Sequence, residues 1–178
     1  MPPEADHETA ESPQLPDFDA VYRQHAAFVW RVGRAMGVPT LHIDDVVHDV
    51  FLVVVRRLAD FDPQHSMRAW LAGITRRVVG HLRRKQGRED RRLRALPDPE
   101  PPRGPHQTLE RRESEQLMER FLGQLDADKR TAFILMELEG LTAREVAAAC
   151  GSNPRTIYSR VRVARSRFET FVAEVARS

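Results

Sequence analysis

Apolar side chains return every three or four residues along almost the whole of this chain, a spacing that buries one face of an α-helix and does not suit a half-buried strand. The first such run is Phe18, Val21, Tyr22, His25, Phe28, Val29, Val32 and Met36. Asp17 stands where an N-cap belongs, and Gly37 and Pro39 mark the stop. A second helix is predicted from about Leu41 to Phe61, with a core stripe of Val47, Val50, Phe51, Val54 and Leu58. Asp44 and Asp45 fall in its first turn, where the helix dipole favours acids. Its valines alone would suit a buried strand, but the length of the segment and its unbroken stripe favour helix. Asp62-Pro63 ends it, and Ser66 is placed to cap a third helix with Trp70, Leu71, Ile74, Val78 and Leu82 on one face. Gly73, Gly80 and Gly87 lie along that helix at about 1 kcal/mol each relative to alanine. They suit either close approach to a large ligand or helix–helix packing.

Pro97, Pro99, Pro101, Pro102 and Pro105 form a stretch that cannot be helical and should act as an extended linker. The expected organisation is all-α: two small helical domains joined by this proline-rich segment. Residues 1–16 read as a disordered acidic N-terminus, 17–95 as the first domain, 96–107 as the linker and 108–178 as the second domain. A linker of this kind leaves the two domains loosely oriented.

The second domain carries the most specific local pattern. Helices are predicted over about 108–124 and 126–139, the latter ending at Gly140. Thr142 and Glu145 then make a T-x-x-E capping box, Cys150-Gly151 a turn, and Asn153-Pro154 a cap with proline at the first helical position. The final helix buries Ile157, Val161, Ala164 and Phe168 and is loaded with arginine. A short capped helix, a glycine turn and a basic second helix have the form of a helix-turn-helix, whose second helix enters the major groove. Arg155, Ser159 and Arg162 share the face opposite the core stripe and can reach base edges together. Thr156 and Arg160 flank it and suit phosphates.

The net charge of +2 conceals two basic stretches. Arg76, Arg77, Arg83, Arg84, Lys85, Arg88, Arg91, Arg92 and Arg94 face only Glu89 and Asp90. The second, Arg155, Arg160, Arg162, Arg165 and Arg167, contains no acid. Two such clusters on a nearly neutral chain point to two places that meet a polyanion. The single cysteine, Cys150, excludes an internal disulfide and a cysteine-rich zinc site. No apolar run approaches the roughly 20 residues of a membrane span. The acidic, proline-bearing start lacks the pattern of a secretory signal, so a cytoplasmic protein without membrane insertion is expected.

The stretch LDADKRTAFILMELEGLTAREVAAACGSNPRTIYSRVRVARSRF resembles region four, the promoter-binding domain, of extracytoplasmic-function sigma factors of RNA polymerase. FDAVYRQHAAFVWRVGRAMG, DDVVHDVFLVVVRRLADFD and MRAWLAGITRRVVGHLRRK resemble the helices of region two in the same family, in the same order. The resemblance implies a factor that docks on core RNA polymerase, recognises and melts the minus-ten element and binds the minus-thirty-five element of promoter DNA. An anti-sigma factor is the implied regulatory partner, and neither a cofactor nor a metal is implied.

Laid on the residues, polymerase docking falls to Asp45, His48, Asp49, Leu52 and Arg56. The minus-ten strand falls to Phe61, Asp62, Gln64, His65, Ser66 and Trp70, with Arg76, Arg77, Arg83, Arg84 and Lys85 on phosphates. The minus-thirty-five duplex falls to Arg155, Thr156, Tyr158, Ser159, Arg160 and Arg162. Trp70 offers a stacking platform for an unpaired base, although its place in the apolar stripe favours core packing. His48 stands where glutamine is usual, Ser152 where an apolar residue is usual, Val163 where arginine is common, and Tyr158 is bulkier than usual. Three other readings exist, one of them a sigma-like protein with no promoter activity of its own. His42, Asp44, Asp45, His48 and Asp49 suggest a metal-dependent enzyme but lack a second cluster to complete a shell. A stand-alone helix-turn-helix regulator would account for the second domain and leave the first three helices unexplained.

Overall fold

The computed structural model describes residues 16–89 and 109–177, all helix and connecting turns. The acidic N-terminal segment and the proline-rich stretch expected from the sequence lie outside the described residues. The helices are α1 (Phe18–Ala35), α2 (Ile43–Arg57), α3 (Met67–Glu89), α4 (Leu109–Gly123), α5 (Ala127–Phe133), α6 (Ala143–Cys150) and α7 (Pro154–Val175).

Local chemistry sets most of the boundaries. The Asp17 carboxylate accepts the Ala20 N–H at 3.1 Å to start α1. At its end Gly37 takes φ +89°. The Met36 carbonyl beside it accepts hydrogen bonds from Arg83 and, at 3.3 Å, from Arg130. The predicted second helix is shorter than the sequence suggested. Thr40–His42 and Leu58–Asp60 are 3₁₀ turns on either side of α2. Pro39 and Asp62-Pro63 limit the chain there, and tighter turns absorb the ends. Ser66 caps α3 through the Ala69 N–H at 3.3 Å.

Helices α1, α2 and α3 pack on one another around Phe28, Val29, Val32, Val50, Phe51, Val54, Leu71 and Ile74. The stripe predicted for α3 accounts for part of what it buries. Ala69, Ala72, Gly73, Thr75 and Val79 are buried as well. The cause is a neighbour that the sequence did not disclose: α3 also packs against α6. An added Cβ on Gly73 would stand 3.2 Å from the backbone oxygen of Ala149. Helix packing, rather than a ligand, therefore explains this glycine.

In the second half the rings of Phe121, Phe133 and Phe168 lie 5.0–5.9 Å apart in a closed cluster, with Phe171 beside it. Asp126 caps α5 through Lys129 N–H at 3.0 Å. The helix predicted to run on to Glu139 changes character instead. Residues Ile134–Leu138 form a π-helical turn, closed by Glu139 N–H to the Ile134 carbonyl at 3.0 Å. The capping box forms as predicted: the Thr142 N–H reaches Glu145 at 2.7 Å and the Glu145 N–H reaches the Thr142 hydroxyl at 3.3 Å. Gly151 ends α6 in the left-handed conformation, φ 61° and ψ 42°. Asn153 caps α7 through Thr156 N–H at 2.9 Å.

The loose orientation expected from a proline linker is corrected here. The halves share one continuous core and are joined by ion pairs, including Arg34 to Glu119 at 3.1 Å.

Candidate nucleic-acid interface

Three surfaces collect the residues singled out in the sequence. The first is α7. Its inner face buries Ile157, Val161, Ala164 and Phe171, which turns Arg155, Ser159 and Arg162 outward to solvent. Tyr158 is 62 % exposed beside them. Thr156 is half-buried, its N–H held by the Asn153 cap. Arg160 is drawn back onto α5, where it pairs with Asp128 at 2.5 Å. Arg165, its side chain still 60 % exposed, pairs with Glu137 at 2.8 Å on the other flank of the buried stripe. The guanidinium groups of Arg155 and Arg162 thus stand forward, while that of Arg160 is held against α5 and that of Arg165 is paired but open to solvent. Ser152 and Val163, unusual for the family pattern, are both half-buried.

The second surface is the loop before α3 with the start of that helix. Asp62, Gln64 and His65 are exposed, Ser66 is half-buried, and the Gln64 N–H binds the Asp62 carboxylate at 2.9 Å. The same carboxylate meets His65 Nδ1 at 2.9 Å. Phe61 is buried, its ring centroid 5.2 Å from that of half-buried Trp70. Trp70 is thereby both a wall of the core and a partly open ring. These residues line a groove of about 660 Å³ whose far wall is Thr142, Arg144, Glu145, Ala148 and Ala149 of the helix-turn-helix. Hydrogen bonding from Ser66, then from the Thr142 N–H and hydroxyl, holds the Glu145 carboxyl below its ordinary value. The far wall of the groove therefore carries the Glu145 carboxylate beside the Arg144 guanidinium. Arg77 reaches into it. Arg76 is half-buried and Arg84 and Lys85 are exposed. Arg83 turns inward to the Met36 carbonyl.

The third surface lies on α1 and α2. Asp45, His48, Asp49 and Arg56 are exposed along one side of α2, with Leu52 41 % exposed in their midst. Sequence reasoning missed the apolar part of this face. Tyr22, Trp30 and Val55 are 45 %, 40 % and 57 % exposed, and with Phe18, Phe51 and Leu52 they line a groove of about 570 Å³. The signal was present at Trp30, a large aromatic off the apolar stripe of α1. Among the described residues no three His, Cys, Asp or Glu side chains come together as a metal-binding group, the cluster at His42–Asp49 included. Among the same residues no helix is long and apolar enough to cross a membrane.

An all-helical chain that ends in a helix-turn-helix, with arginines forward on its second helix, belongs to the class of DNA-binding transcription proteins. Residues 21–89 match the family Sigma-70 region 2, and residues 115–168 match Sigma-70, region 4. The RNA polymerase sigma factor CnrH of Cupriavidus metallidurans is 28 % identical over 166 residues, 87 % of this chain and 86 % of that one. The sigma factor NccH of Alcaligenes xylosoxydans xylosoxydans is 30 % identical over 161 residues, 84 % and 83 % of the two chains. The sigma factor RpoE from Bartonella quintana, solved with the anti-sigma factor NepR, has the same fold. Its TM-score is 0.76 at 24 % identity, over 88 % of this chain and 97 % of that one. CnrH solved with the cytosolic domain of CnrY gives 0.66 at 25 % identity over 88 % of each chain. The chain belongs to the extracytoplasmic-function group of sigma-70 RNA polymerase sigma factors, proteins that direct transcription initiation at promoters.

Proposed function

We propose that this sigma factor docks on core RNA polymerase through α1 and α2, holds and melts the minus-ten element with the Phe61–Ser66 loop and α3, and reads the minus-thirty-five element with α7. The observation that carries this reading is the forward stance of Arg155, Ser159 and Arg162 on a helix whose Arg160 is tied back to Asp128. Three polar side chains on one exposed face, at the N-terminal end of a recognition helix, are what base-edge contact in the major groove requires. Unpaired bases need edge hydrogen bonds and an aromatic face, and the loop offers Gln64, His65 and Ser66 beside the Phe61–Trp70 pair. Docking is supported by the mixed face of α2, where exposed acids surround Leu52 and open onto the apolar groove at Trp30. That composition, an apolar centre with a charged rim, is the usual anatomy of a protein interface. An anti-sigma factor is the expected regulator, as in the relatives solved with NepR and CnrY, and the cytoplasm is the expected site of action.

Each DNA surface is small, so the isolated chain should bind promoter DNA weakly and with strong salt dependence. Permanganate footprinting tests the whole reading. Reactive thymines should appear in the minus-ten region only when this chain and core polymerase are both present. Tight sequence-specific duplex binding by the chain alone, without melting on addition of core polymerase, would identify a stand-alone regulator instead.

A further inference from the structure

In the open groove between the Phe61–Ser66 loop and α6, the acids have partners and two of the cations do not. Asp60 pairs with Arg57 at 3.9 Å, and Asp62 meets His65 Nδ1 and the Gln64 N–H, both at 2.9 Å. Glu145 accepts from the Thr142 N–H and hydroxyl, both at 2.7 Å. Arg77 on α3 and Arg144 on α6 line the same groove and are exposed. Among the described residues neither makes a hydrogen bond or an ion pair. Other arginines of these helices are taken up, as Arg68 is by Glu139 and Arg160 by Asp128. Between the two free guanidinium groups the lining is flat and apolar. Trp70 is half-buried, its ring backed by buried Phe61 at 5.2 Å. Ala69, Gly73, Ala148 and Ala149 add only small side chains, and Gln64 and Ser66 set polar groups beside them. The volume of about 660 Å³ lies within the roughly 300–1,000 Å³ of small-molecule sites.

We propose that this groove binds a free nucleoside monophosphate, its base stacked on Trp70 and its phosphate held between Arg77 and Arg144. The ligand is a single soluble nucleotide, and Arg144 belongs to no surface assigned above to DNA or polymerase, so the inference goes beyond the promoter reading. A base needs an aromatic face and hydrogen-bonding groups at its edge. Trp70 supplies the first, and the Gln64 amide and Ser66 hydroxyl, each both donor and acceptor, supply the second. The Glu145 carboxylate beside Arg144 can accept from a base edge that carries an amino group. The small floor residues leave room for a flat ring. A phosphate needs several charged donors, and guanidinium groups present them as planar forks. No ion pair has to break for the anion to enter. An inorganic anion would leave the Trp70 wall unused, and an apolar ligand would leave both guanidinium groups unpaired.

Fluorescence of the full-length free chain tests this. Trp30→Phe leaves Trp70 as the only tryptophan, and a stacked base should quench it saturably. The monophosphates of adenosine, cytidine, guanosine and uridine are titrated at constant ionic strength, beside the bare nucleosides and inorganic phosphate. At least one monophosphate should bind about tenfold more tightly than its nucleoside, the gain expected from charge-assisted hydrogen bonds to the phosphate. Arg144→Ala should remove most of that advantage and leave binding of the nucleoside unchanged. Calorimetry on the unsubstituted chain gives a second readout that does not depend on the indole, and circular dichroism establishes that each variant is folded. Absence of binding by all four monophosphates overturns the proposal. A folded Arg144→Ala variant that binds nucleotide as tightly as its parent does so too, as does a quench that inorganic phosphate alone reproduces. None of these titrations contains promoter DNA or polymerase, so their failure beside intact core-dependent melting would overturn the nucleotide site and leave the promoter reading standing.

Discussion

Gly151 stands in the left-handed region with open space around the place a Cβ would occupy. Substitution there meets backbone strain alone, so Gly151→Ala should cost about 1 kcal/mol and lower the melting temperature by about 2–4 °C. Thermal denaturation checks it, and an unchanged midpoint would mean that the turn relaxes. His25 is a different kind of residue-scale feature. It belongs to the apolar stripe of α1 and is buried, where desolvation, with Arg68 nearby, pulls its pKa below the ordinary 6.5. The unfolded chain accepts a proton near 6.5 while the native imidazole refuses it until lower pH. His25 therefore costs no stability above that value, and the fold weakens as the pH falls below it toward the lowered native value. His25→Leu should flatten the dependence of stability on pH below about 6.5 in denaturant titrations. Arg83 shows a limit of reading by residue type. A basic residue in a basic run suggests a phosphate contact, yet its guanidinium serves the end of α1.

At the scale of elements, the division of labour on α7 yields a contrast. Arg155→Ala or Arg162→Ala should relax discrimination at particular minus-thirty-five bases, by about 1–3 kcal/mol for a bidentate contact. Arg84→Ala should weaken binding about equally across sequences and flatten its salt dependence. Holoenzyme binding curves on variant promoters at several salt concentrations separate the two, and four-base profiles that shift alike for all three would refute the assignment. Helix identities, caps and turns were legible in the sequence because they are settled within a few residues. Asp17, Ser66, Thr142 and Asn153 each bond a backbone N–H three positions on. The π-helical turn was not legible. Nothing in Ile134–Leu138 departs from a helical pattern, and only the packing of both halves accounts for where Glu139 goes.

For the whole molecule, the polymerase surface is the natural place for a prediction. Replacing Asp45 and Asp49 with arginine should weaken binding to core polymerase, and Trp30→Ala with Leu52→Ala should do so more strongly. Buried aromatic and aliphatic anchors carry more of an interface's energy than rim charges. A pull-down with core enzyme reads both, with circular dichroism as the check on folding. Unchanged retention of the Trp30 and Leu52 variant would remove the α1–α2 groove from the interface.

The helical character, the capped helix-turn-helix and the faces that carry arginine were all legible in the amino-acid sequence, because helical period, cap chemistry and side-chain charge are local properties. Tertiary structure alone decided which of those arginines face solvent, that Val55 stays exposed, and that α6 lies on α3. The physical reason is that burial and pairing are decided between segments far apart in the chain. Glu139 meets Arg31 across 108 residues and Arg68 across 71, and no short window of the sequence contains all three.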